Sequence, residues 1–168
     1  MSSVLPGLIV LGIAALAALL FAIFRSTPPD NNRERQAASR ALAATTAIQA
    51  VHFVEELASG FPEKFPALFG LPPMSMTYFI VFNLAWLAIW VASIPGLRLG
   101  QRATYFAAWF LAIAGIVNGI GHPAIAIYVK GYFPGLLSSP LIGIAGMWLF
   151  SRLYVATSNP NTAAAAAK

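Results

Sequence analysis

Hydrophobic residues run along the chain in five blocks separated by polar breaks. The first, Val4 to Phe24, is apolar throughout and ends at Arg25, where the polar segment RSTPPDNNRERQAASR begins. The second, Ala41 to Ser59, is apolar but carries His52, Glu55 and Glu56. A loop rich in proline and phenylalanine, GFPEKFPALFGLPPMS, leads to the third, Met76 to Ile94, which stops at Pro95–Gly96. The fourth runs from Ala103 to Val129, and its Pro123 removes a backbone donor and predicts a kink. The fifth, Leu136 to Val155, precedes the tail TSNPNTAAAAAK, which reads as disordered.

Each block approaches the roughly 20 residues that an α-helix needs to cross a bilayer. None shows the short alternation of a transmembrane β-barrel strand. The expected fold is all-α, a polytopic transmembrane bundle of five helices. Residues 1–40 form the first helix and a basic linker, 41–157 a four-helix core carrying the chemistry, and 158–168 a polar tail. The first block has no basic segment before it and no small-residue cleavage site after it, so it reads as a retained helix and not as a signal peptide.

Composition sharpens this picture. Of 168 residues, 59% are hydrophobic and 9% are charged, against about 25% charged in a soluble domain. The absence of cysteine excludes disulfides, thiolate metal sites and cysteine nucleophiles. Charge then sets topology. Of ten Lys and Arg residues, Arg25, Arg33, Arg35, Arg40, Arg98, Arg102, Arg152 and Lys168 fall on one side of a five-span chain, and only Lys64 and Lys130 on the other. The positive-inside rule puts the N-terminus outside and the C-terminus in the cytoplasm. The expected location is a membrane crossed several times. The same bias accounts for the net charge of +5, and without a basic patch interleaved with aromatics no nucleic-acid partner is expected.

The second block is where chemistry concentrates. On a helix, Thr45, Gln49, His52 and Glu56 fall within about 60° of one another, and Glu55 flanks His52 on the other side. A carboxylate near the bilayer centre costs at least ~2.5–3.5 kcal/mol on insertion scales. Simple pairing with His52 at a helix interface is the plain alternative. Three ionisable residues in five weigh against it and towards a cavity or a function. Depth adds weight. Counted from Arg40, His52 lies about 18 Å and Glu56 about 24 Å up; counted from Arg102, Asn118 lies about 24 Å and His122 about 30 Å up. The chain's only two histidines thus share the outer half of the bilayer with both carboxylates. Asn83 of the third block reaches a comparable depth, Trp86 lies one turn further in, and Ser138 and Ser139 fall near the outer surface.

His52-Phe53-Val54-Glu55-Glu56, followed by Asn118-x-x-x-His122, resembles the HXXEE-motif family of small prokaryotic membrane proteins over residues 41–155. The resemblance implies a prokaryotic inner membrane, and that His52, Glu55, Glu56 and His122 matter, without assigning them a reaction. A looser likeness, of chemistry and not of order or spacing, is to the emopamil-binding-protein group of sterol isomerases, with Asn83 and Trp86 matching in spacing.

Several uses fit these residues. In an enzyme for a lipophilic substrate, two adjacent carboxylates in a low dielectric cannot both ionise cheaply. One would donate a proton while the other, or His52, removes one elsewhere. Asn118, Asn83, Gln49 and His122 would orient the groups, and Trp86 would face a developing cation. Isomerisation, cyclisation and hydrolysis all remain open. Alternatively, His52, Glu55, Glu56 and His122 would bind one zinc or iron ion; two carboxylates are too few for a di-iron site. A bis-histidine haem fits less well, with carboxylates beside one ligand and a proline after the other. A proton-coupled carrier or a non-catalytic accessory subunit completes the set. The expected surroundings are membrane lipids, with a lipophilic small molecule, a second copy or a larger membrane complex as partner.

Overall fold

A computed structural model describes residues 2–25 and 31–158. Among them are a 3-10 turn, Ser2–Val4, six α-helices and no strand. The helices are α1 (Leu5–Phe24), α2 (Asn32–Ala58), α3 (Phe61–Ala67), α4 (Met76–Arg98), α5 (Arg102–Tyr128) and α6 (Ser139–Ala156). Four of them, α1, α4, α5 and α6, are long and apolar enough to cross a membrane. This fits a membrane protein.

The boundaries depart from expectation where polar residues are good helix formers. Helix α2 starts at Asn32, so much of the expected linker is helix. Arg, Glu, Gln and Ala all favour that state, and Ser39 anchors the segment by donating to the Ile94 carbonyl of α4 at 3.0 Å. Inside the expected Phe/Pro loop, α3 forms with Pro62 in its first turn, a position where the missing N–H costs nothing. Phe61 and Phe65 then stack at 4.9 Å. Helix α5 runs unbroken through Pro123. The expected disordered tail falls, beyond Ser158, outside the described residues.

Helices α2, α4, α5 and α6 form a ring in which each packs on its two neighbours, and α1 lies outside the ring along α5. Close approach of α5 to α6 depends on glycine. A Cβ on Gly119 would stand 2.6 Å from the Cα of Gly143, so the two backbones touch there in the manner of small-residue membrane interfaces. Towards the other end of the bundle, Trp109 is fully buried between Phe21 of α1 at 4.6 Å and Phe150 of α6 at 5.0 Å. Polar links tie neighbours together: Thr45 donates to the Ala145 carbonyl at 3.2 Å and Trp90 to the Ala107 carbonyl at 3.0 Å. Arg25 joins the ends of α1 and α6, donating to Thr157 at 2.8 Å and lying 3.8 Å over the Tyr154 ring.

Candidate functional site

Helix α2 is built inside out. His52 is fully buried and Glu56 nearly so, while Val51 and Val54 are 61% and 60% exposed. Its polar stripe faces the ring while Val51 and Val54 face outward, the reverse of a helix on a water-facing surface. Thr45, Gln49, His52 and Glu56 are all buried along that stripe.

Opposite the stripe, α5 presents His122. The Nε2 atoms of His52 and His122 lie 3.7 Å and 3.4 Å from the same oxygen, Oε1 of Glu56. The two rings meet edge to face with centroids 4.8 Å apart. Their outer nitrogens are both occupied. His122 Nδ1 is 2.6 Å from the Pro134 carbonyl, which can only accept, so this nitrogen carries the ring proton. His52 Nδ1 is 2.8 Å from Ser138 Oγ. That hydroxyl donates to Glu55 Oε2, which leaves its lone pair for a proton on His52 Nδ1. Both imidazoles therefore turn an Nε2 lone pair inward, and His52 Nε2 is buried with no hydrogen-bond partner.

This donor set suits a metal ion. His52, Glu56 and His122 each supply one ligand atom, all within 4.8 Å of one another. On a tetrahedral zinc with bonds of about 2.0–2.1 Å, two ligand atoms stand about 3.3 Å apart. The two imidazole–carboxylate distances, 3.4 Å and 3.7 Å, are near that spacing, and the set as a whole, spanning up to 4.8 Å, would draw in around an ion. Metal-bound histidines characteristically donate the other ring N–H to a carbonyl, a carboxylate or water. A carbonyl serves His122 here, and a carboxylate, acting through Ser138, serves His52.

Glu55 takes a different place from Glu56. It stands outside the ligand group, because its oxygens are committed to the segment before α6. Oε1 accepts from the Tyr132 hydroxyl at 2.8 Å and the Leu137 N–H at 2.9 Å. Oε2 accepts from the Ser138 N–H at 2.7 Å and from the Ser138 hydroxyl. A carboxylate at a helix N-terminus also complements the helix dipole. Tyr132, beyond the spanning helices, has its phenol raised above the ordinary value, by desolvation first and by Glu55 after it, so it remains a donor at neutral pH. Gly135 completes the support. Its φ is +86°, and a Cβ there would stand 2.6 Å from His122 Cε1 and 2.9 Å from His52 Cε1. The Pro134 carbonyl is backbone and Gly135 acts by having no side chain, so neither shows as a reactive residue in the sequence. The run Phe133-Pro134-Gly135 was the available signal.

Beside the cluster lies a cavity of about 320 Å³. Glu56 and His122 line one end, so the His/Glu/His group presents one side to it, while His52 sits behind. Gln49, Asn83, Trp86 and Asn118, expected around a substrate, all line it. Asn118 is thus a wall residue. Phe61 and Phe65 of α3 and Met74 also line it, as do Leu8 and Leu11 of α1.

No curated protein and no solved structure matches the chain. A family model described as "Protein of unknown function with HXXEE motif" matches residues 43–149, which include His52, Glu55, Glu56, Asn118, His122 and Ser138. With most of the sequence matched, and the histidine and second glutamate of the motif meeting at one buried site, the chain belongs to the HXXEE-motif family.

Proposed function

We propose that the protein is a membrane-embedded enzyme that uses one divalent metal ion, zinc or iron, to act on a lipophilic molecule held in the cavity. His52 Nε2, His122 Nε2 and Glu56 Oε1 are the ligands. One observation carries this reading: both imidazoles have their outer nitrogens occupied, and their inner lone pairs converge on one carboxylate oxygen. An ion held there would polarise a substrate oxygen or activate water, in chemistry of isomerase, cyclase or hydrolase type. Asn118, Gln49 and Asn83 orient the molecule, and Trp86 packs on it. Metal analysis of detergent-purified protein tests this. One zinc or iron per chain is expected in the wild type and none in His52→Ala or His122→Ala. A metal-free wild type that still turns over a lipid would replace the ion by proton transfer through Glu56.

We also propose that α2 is a fifth span, with the N-terminus outside and the C-terminus in the cytoplasm of a prokaryotic inner membrane. Residues 41–157 are then the chemical core, and α1 with its basic linker is an addition. The outward Val51 and Val54 and the eight basic residues on one side support this. A periplasmic reporter active when fused between Arg33 and Arg40 would overturn it.

A further inference from the structure

We infer that the cavity takes a single extended hydrocarbon chain, its reacting group beside Glu56 and His122 and its tail beside Trp86, Trp90 and Phe110, admitted sideways from the bilayer between α1 and α4. This rests on the reading of the Glu56–His122 end as the reacting end.

The walls give the shape. His122, Asn118, Ala114 and Phe110 all line the cavity and follow one another at four-residue steps on α5, so the cavity extends about 18 Å along the helix. It is long relative to its volume of about 320 Å³, a shape that takes an elongated molecule lengthwise. At about 1.25 Å per carbon, from a bond of about 1.52 Å at a tetrahedral angle, the length suits about 14 carbons.

Polarity gives the direction. Glu56, His122, Asn118 and Asn83 gather towards one end. At the other, Trp86 lies 4.4 Å from Phe110 and 5.5 Å from Trp90, centroid to centroid. Trp90 spends its indole N–H on the Ala107 carbonyl, leaving that end apolar. The side gives the entrance. Gly7, Leu8 and Leu11 of α1 line the cavity, yet α1 packs along α5 and scarcely approaches α4. Ile9 and Ile13 face outward, 55% and 67% exposed. Helix α1 is a cover packed mainly on α5 and tied to α6 at its C-terminal end, and the seam it shares with α4 opens to lipid.

The experiment is photolabelling of the full chain in detergent with straight-chain primary alcohols of 8 to 18 carbons carrying a terminal diazirine, beside a steroid carrying the same group. Labelling should peak near about 14 carbons and map to the residues around Trp86, Trp90 and Phe110. Ala114→Phe and Val117→Trp, two independent fillings of the cavity, should each cut it about tenfold or more. A Leu8→Cys/Phe82→Cys pair in this cysteine-free chain, bridged by a bis-maleimide, should slow labelling relative to the unbridged pair. Equal labelling by the steroid at the same residues, or no length optimum, would overturn the single-chain cavity. An unchanged rate in the bridged pair would overturn side entry. Metal content measured on the same samples separates the two readings. Length-selective labelling of a metal-free protein removes the ion alone, and a metal-loaded protein without length selectivity removes the chain alone.

Discussion

Replacing Glu55 by Gln should weaken metal binding without removing a ligand. Four donors reach the two oxygens of Glu55. An amide keeps one acceptor oxygen and turns an NH2 group towards the N–H and hydroxyl of Ser138. Hydrogen bonds to a charged group are worth ~1.5–3 kcal/mol each, so losing two amounts to roughly 3–6 kcal/mol before water intervenes. Glu55 is partly exposed, and solvation of the freed donors brings the expected cost to about 2–3 kcal/mol. At about 2–4 °C per kcal/mol for a chain of this size, the melting temperature should fall by about 4–12 °C. The second effect is specific to the relay. The Ser138 hydroxyl, released from Glu55, turns its proton towards His52 Nδ1 and drives the imidazole into the tautomer with a proton on Nε2, the metal side. Loss of such outer partners lowers metal affinity by about 10–100-fold. Competition with a chromophoric chelator measures the affinity, and thermal unfolding in the same detergent measures the stability. Affinity at the wild-type level beside a lowered melting temperature would reduce Glu55 to a structural tie. If neither quantity moved, the whole network would be refuted.

Three further outcomes follow from the geometry. Gly135→Ala should abolish stoichiometric metal binding while leaving helical circular dichroism intact, because its Cβ would strike both imidazoles at a φ that costs other residues roughly 1–2 kcal/mol; full metal content in this variant would contradict the packing described. Gly119→Ala should lower the melting temperature through overpacking of about 1–3 kcal/mol against α6, whereas Gly121→Ala, on the same helix with open space at its Cβ, should leave it level or raise it. Stripping the ion with a chelator should destabilise the wild type by ~2.7 kcal/mol relative to protein in metal at a hundredfold excess over Kd, and should leave His122→Ala unmoved; equal melting curves for wild type with and without chelator would argue against a bound ion.

The long apolar runs made the spanning helices legible, since a stretch of about 20 such residues has few other uses. Depth counting also put His52, Glu56 and His122 in one half of the bilayer, and the three side chains lie together. The division of labour between adjacent glutamates was written in the same helical geometry. Glu56, four residues after His52, shares its face, and Glu55, about 100° away, meets the segment before α6. What periodicity could not supply was the start of α2, because charged residues with high helix propensity look like a linker when hydropathy alone is read. Nor could it supply the Pro134 carbonyl and the Ser138 bridge, which depend on a turn whose path only tertiary packing fixes.

The placement of α1 outside the ring separates a wall of the cavity from its chemistry. The family match begins at residue 43, after α1, and every proposed ligand to the ion lies within it. One wall of the cavity therefore comes from a helix that carries none of the chemistry. Exchanging or reshaping that helix would redraw which molecules fit while the reacting groups stayed as they were. On the proposed function, selectivity and reactivity would be separately adjustable, and exchanging α1 alone, with α2 to α6 kept whole, is the direct way to change one and keep the other.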